Sequence, residues 1–175
     1  YSPILGFVVL ILAILLYGFI FENFAIIAGF LGLEEFFRLE TLSTGSGRLI
    51  AWNFAWEHIE KNFFFGKGIA HTELLFKKNY TYLSELGHQG HAHNSYLTFW
   101  LDTGLVGLFA YLLAFLSLFM QAASKTRLAF PIMYSVMFSI FFESWLTASL
   151  NPFTIVLLIV MTLVCSHHIT WGGSH

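Results

Sequence analysis

Charge is what this chain most lacks. Asp, Glu, Lys and Arg make up 10% of its residues, where a soluble domain carries about 25%. With 57% hydrophobic residues and a mean hydropathy of +0.73, that scarcity excludes an ordinary soluble domain and indicates an integral membrane protein. The net charge is −2, so no basic surface invites nucleic acid. The single cysteine, Cys165, cannot form an intrachain disulfide and says nothing about redox compartment. There is no Gly-x-Ser-x-Gly, no P-loop, no Gly-x-Gly-x-x-Gly and no His-Glu-x-x-His, which leaves hydrolase, ATPase, dinucleotide and zincin readings without support. No basic region precedes the first apolar run and no small-residue cleavage site follows it, so it does not read as a signal peptide. The opening Tyr1-Ser2-Pro3 is expected to lie inside a longer protein, of which this is the C-terminal part.

What is there is a set of long apolar runs around one polar segment. Ile4 to Phe21 is uninterrupted and would span roughly 27 Å as a helix, close to the ~30 Å hydrocarbon core. Residues 1–33 are read as a first membrane helix with an interfacial extension. Residues 34–93 hold six of the eight Lys and Arg residues and form a large extramembrane loop. Within it, residues 46–62 are predicted to form an amphipathic helix, with Leu49, Trp52, Trp56, Ile59 and Phe63 at helical spacing. Its two tryptophans suit a helix lying at the membrane surface. Residues 94–120 are predicted as a second span, 121–129 as a short loop, 130–150 as a third span, and 151–175 as a fourth span and tail. Gln121–Arg127 carries Lys125 and Arg127, and the positive-inside rule places that short basic loop in the cytoplasm. The long loop then faces the other side. The expected fold is an all-α integral membrane protein with about four spans and a large helical extracytoplasmic loop.

Three positions carry chemistry. Arg48 begins the predicted amphipathic helix, where the helix dipole favours an anion rather than a cation. A phosphate held between Arg48 and the free backbone amides would resolve that conflict; pairing with Glu34, Glu35 or Glu40 would do so too. His88, His91 and His93 cluster before the second span. Together they form a possible zinc site, although H-x-x-H-x-H is not a usual ligand spacing. His88 and His91 read better as solvated loop residues. His93 stands just before Asn94 and the helix, a good place for a general base acting at the bilayer edge. Asp102 lies about half a turn of the helix wheel away, so no dyad with His93 is expected; Gly104 and Gly107 suit close helix packing. Glu143 is read as an intramembrane carboxylate near the outer end of the third span, placed to orient an arginine or line a cavity. A transporter or channel fragment with Glu143 in its pathway is the non-enzymatic alternative.

Ser46-Gly47-Arg48 with Trp52 and Asn62 to Gly68 resembles the loop that follows a membrane span in the O-antigen ligase and polymerase superfamily. His93-Asn94, nine residues, Gly104, two residues, Gly107-Leu108 resembles that family's histidine motif, with Asp102 matching its frequent acidic residue. Glu143-Ser144-Trp145 and Asn151-Pro152-Phe153 are similar to its closing segment. The resemblance implies a C-type, metal-independent, inverting glycosyltransferase without a cofactor. It would sit in the bacterial inner membrane as a multi-pass protein with its active site facing the periplasm. The donor would be a glycan on undecaprenyl diphosphate and the acceptor a lipid or glycan hydroxyl, in lipopolysaccharide or other surface-polysaccharide assembly. His93 then matches the catalytic base and Arg48 the diphosphate contact. Asn94, Glu143 and Arg38 are the further substrate-binding candidates, Arg38 for a second family arginine. Nothing in the residues separates a ligase from a polymerase.

Overall fold

The computed structural model describes residues 3–23, 26, 28, 30, 31, 47–88, 90–147 and 151–165. Arg38 falls outside them, as do Ser46, Glu34, Glu35 and Glu40. The described elements are all helical: α1 (Pro3–Glu22), α2 (Arg48–Lys61), α3 (His71–Lys78), α4 (Tyr80–Glu85), α5 (Ser95–Ala123), α6 (Ala129–Phe142) and α7 (Pro152–Cys165).

Four of these are apolar and alternate in direction. Phe7 of α1 meets Tyr134, and Tyr17 meets Phe142, so α1 and α6 run parallel. Tyr96 donates to the Met137 carbonyl at one end of α5, while Phe119 and Ala122 pack with Ala129 and Met133 at the other. α5 therefore runs antiparallel to α6. α7 starts at a Trp145–Phe153 contact and packs against α5, ending where Lys125 Nζ donates to the Cys165 carbonyl. Among the described residues only α5 is long and apolar enough to cross a membrane by length and composition. α6 and α7 have 14 residues each, about 21 Å of helix.

The second span differs from its sequence reading. α5 is broken at Gly104, which has φ 72° and ψ −178°. In an unbroken helix the Leu105 and Val106 amides would bond to the Leu101 and Asp102 carbonyls. Instead the loop after α2 inserts its backbone. Leu105 N donates to Phe63 O (2.9 Å) and Val106 N to Phe64 O (3.2 Å), while Leu101 O accepts from Lys67 N (3.3 Å) and Asp102 O from Gly68 N (2.8 Å). These four polar groups released by the break are thus satisfied, as a break inside an apolar environment requires. A Cβ on Gly104 would sit 2.2 Å from Phe64 O. Glycine is needed there for a loop-to-helix contact rather than for helix-to-helix packing.

The same junction explains Asp102. Its Oδ1 accepts from Thr72 N (2.7 Å) and Thr72 Oγ1 (2.6 Å), and its Oδ2 from Ala70 N (3.1 Å). The carboxylate caps α3 from another element, a stabilising use of an anion at a helix N-terminus.

The amphipathic helix forms at Arg48–Lys61, but its buried face is Ala51, Phe54, Ala55 and Ile59. Leu49 is 51% and Trp56 41% exposed. Small residues let α2 approach its neighbours closely, so the inward face carries alanines where the sequence pattern pointed to tryptophans. Trp52 is turned toward α5 and α6, donating from Nε1 to Ala92 O (2.9 Å) and meeting Phe141 edge-on.

Candidate functional site

Arg48 is the first residue of α2. Gly47 caps the helix at φ 74° without a side-chain bond. Its ideal Cβ would lie 2.9 Å from Gly87 O and 3.0 Å from the Cα and Nδ1 of His88. A side chain at 47 would push the start of α2 off the 87–88 turn, so this glycine fixes where Arg48 emerges.

His93 sits at the other side of that turn. Its φ of 47° places a non-glycine residue in the left-handed region, a conformation that costs about 1–3 kcal/mol and gathers at functional sites. Asn94 holds it there. The Asn94 side chain accepts from Leu97 N (3.0 Å) and caps α5. The Asn94 amide donates to Ser144 Oγ (2.9 Å), and Ser95 Oγ donates to the Glu143 carbonyl (2.9 Å).

Those two bonds draw the chain out of α6. Glu143 has φ −143° and ψ 150°, extended backbone just beyond the helix end. It is not inside the helix. Its carboxylate joins the two sequence-predicted catalytic residues. Arg48 Nη2 donates to Oε1 at 3.0 Å, and His93 Nδ1 lies 3.5 Å from Oε2. Side-chain exposures are 25% for Arg48, 36% for His93 and 49% for Glu143, so a ligand can reach all three. The anion expected at the start of α2 is therefore supplied by Glu143. The other imidazole nitrogen, Nε2, faces Gly90, where even an added methyl would stand 3.5 Å away.

The three histidines do not gather around one point. His88 is 1% exposed and donates from Nε2 to the His91 carbonyl at 3.1 Å. It is a buried residue, not a solvated loop histidine, because Phe76 and His93 close over its ring. Burial, and then the adjacent His93, push its pKa below the usual histidine range. His91 is exposed. Among the described residues no three His, Cys, Asp or Glu side chains are arranged to hold a metal.

Two cavities flank the site. One, of about 570 Å³, is apolar and runs between α1, α2, α5 and α6, lined by Leu10, Ile14, Trp56, Trp100, Leu112 and Phe141 and bordered by Asn94. The other, of about 490 Å³, is lined mainly by polar residues together with Ile69 and Ala70 and lies between the α3 N-terminus and the 144–147 turn.

A family model described as O-antigen ligase matches residues 2–112. This chain belongs to the O-antigen ligase family. No curated protein and no solved structure matches it. Membership makes it a membrane protein of the O-antigen ligase and polymerase type, acting on lipid-linked glycans. Arg48, His93, Asn94 and Gly104 fall within the matched region, and Glu143 lies beyond it.

Sequence reasoning found Arg48, His93 and Glu143 separately, and the structure brings them together. Asn94 is 3% exposed, with its side-chain oxygen engaged as a cap. That is a positioning role for His93. The residues missed were Ser95 and Ser144. Ser144 stood next to Glu143 in the closing motif, and its hydroxyl at the end of an apolar run was the available signal, since such side chains compete with helical bonding.

Proposed function

We propose that this family member transfers a glycan from an undecaprenyl diphosphate carrier to an acceptor hydroxyl, at a site built on Arg48, Glu143 and His93. The single observation behind this is the Glu143 carboxylate between a guanidinium and an imidazole. With Nδ1 turned toward the carboxylate, His93 keeps Nε2 available to accept the acceptor's proton. Glu143 favours the imidazolium that results, the orienting role an acidic residue takes behind a catalytic base.

Direct attack by the hydroxyl breaks the bond between the anomeric carbon and the diphosphate oxygen and inverts the anomeric centre. The electron pair leaves on the lipid diphosphate, where Arg48 and the amides at the start of α2 stabilise it. Arg48 can turn to this more highly charged anion because its present partner is half exposed. The apolar groove beside Asn94 suits the carrier's hydrocarbon chain. In this proposal the remaining apolar helices also span the inner membrane and the site faces the periplasm. Ligase and polymerase share this chemistry and differ in acceptor.

The test is glycan transfer by the full-length protein with purified lipid-linked donor. His93→Ala and Arg48→Ala are each expected to lower transfer at least 100-fold at equal expression, and wild-type transfer should persist in excess EDTA. Normal transfer by either variant would overturn the assignment. Product length separates a ligase, which adds one preformed glycan, from a polymerase.

A further inference from the structure

The mechanism above uses one face of the 93–94 and 143–144 junction. The opposite face opens into the polar cavity. Its lining includes Thr72, Glu73, His91, Asp102, Ser144 and Thr147. Ser144 belongs to both places, since its Oγ accepts the Asn94 amide and it directly follows Glu143. Asn94 borders the apolar groove on the other side. The apolar groove thus meets this junction at Asn94 and the polar cavity meets it at Ser144, two residues joined by one hydrogen bond.

We infer that the polar cavity is a carbohydrate subsite, holding the sugar whose hydroxyl is presented to His93. The inference rests on the transferase reading. Its chemistry points to a neutral polyol. Among the described residues no Lys or Arg lines the cavity, while two carboxylates do, which disfavours a phosphate or an acidic ligand. Those carboxylates and His91 do not form a metal-ligating group. Sugar hydroxyls need both acceptors and donors, which the Glu73 carboxylate and the His91 ring supply.

Much of the lining is already fixed. Asp102 is held by Ala70 N, Thr72 N and Thr72 Oγ1, and Thr147 Oγ1 donates to Ser144 O at 2.8 Å. Glu73 and the His91 ring are different. Both are exposed and make no side-chain hydrogen bond or ion pair among the described residues. They are the groups left for a ligand. A rigid floor with two unengaged polar groups above it is the kind of arrangement that fixes orientation in a small-molecule site.

The experiment uses the full-length protein in detergent and saturation-transfer NMR with methyl glycosides of glucose, galactose and N-acetylglucosamine as probes. At least one probe is expected to bind wild type, and Glu73→Gln combined with His91→Ala should weaken it about tenfold. Both residues are exposed, so the fold is expected to persist, and an unchanged thermal melt verifies this. His93→Ala should retain binding. In the transfer assay the double variant should raise one KM about tenfold with kcat within threefold of wild type. A rise in the acceptor KM is the expected result; a rise in the donor KM alone would overturn the placing of the acceptor sugar in this cavity. No probe binding, or equal binding by wild type and double variant, would overturn the inference. Because binding is read without turnover, this result stands apart from the His93→Ala test of transfer.

Discussion

Replacing Glu143 by Gln is the most informative single perturbation of this site. Gln keeps the side-chain shape and removes the charge that Arg48 and His93 share. The Arg48–Glu143 pair is partly exposed, at 25% and 49%, so solvent screening limits its share of stability to about 0.2–1 kcal/mol. The fold should survive. The catalytic effect is expected to be larger. A unit charge 3.5 Å from His93 Nδ1 stabilises an imidazolium by about 1 kcal/mol in water-like surroundings, and by several-fold more where the effective dielectric falls to about 20. With Glu143 half exposed, about 1–3 kcal/mol is reasonable, or about 5- to 150-fold in kcat. The donor KM should fall or stay unchanged, since Arg48 loses a competing anion. Steady-state transfer assays with the full-length protein, varying donor and acceptor separately, read both effects, and a thermal melt checks the fold. A kcat within twofold of wild type at unchanged melting would refute the orienting role. So would a tenfold rise in donor KM at constant kcat, because Glu143 would then act on binding.

Other expectations follow from the same contacts. Gly104→Ala places a Cβ 2.2 Å from Phe64 O at φ 72° and should destabilise the protein by about 2 kcal/mol or more, seen as a lowered melting temperature in detergent. Asn94→Ala removes the cap of α5 and should cost about 1 kcal/mol of stability; because the cap also positions His93, kcat should fall more than either KM changes. His88 has a folded-state pKa below its ordinary value, so the folded state favours the neutral ring. Its contribution to stability is complete above about pH 6.5 and is lost as pH falls from there toward the lowered value. Thermal melts from pH 7.5 to 5 should show this loss, and a His88→Gln variant should show a flatter profile.

The apolar helices and the setting of His93 at the start of α5 were legible because their signals are local. Composition alone announces the membrane runs, and His93-Asn94 with Gly104 and Gly107 is a short pattern. What the chain could not show locally was distance. Arg48 and Glu143 stand 95 residues apart, and neither carries a sign that the other is its partner. Glu143 looked intramembrane because the apolar stretch from residue 130 to 150 is scarcely interrupted. Two tertiary hydrogen bonds, from Ser95 Oγ and the Asn94 amide, take it out of the helix. Gly104 was visible as a small residue, but its break depends on backbone donors from residues 67–68 and acceptors at 63–64. His88, flanked by Gly87 and Gly90, had the local look of an exposed loop. Its burial comes from Phe76 and His93 on other segments.

One carboxylate serving two cations has a consequence for the order of events. Without a donor, Arg48 at the start of α2 would face the positive end of a helix dipole uncompensated, and Glu143 neutralises it. A lipid diphosphate brings more negative charge to the same guanidinium and to the same amides. In the proposed reaction it draws Arg48 away and leaves the Glu143 carboxylate to His93 alone. The imidazolium formed on taking the acceptor's proton is then stabilised most when the leaving group is already in place. Because Glu143, Ser144, Asn94 and Ser95 are tied by backbone and hydroxyl bonds, the carboxylate need not move far for this exchange. The guanidinium, on a flexible stem at a glycine-capped helix start, is the part free to shift. The bonds at Glu143 O and Ser144 Oγ fix the backbone beneath the carboxylate, whereas no side chain caps the start of α2, which favours the guanidinium as the group that shifts in the proposed reaction.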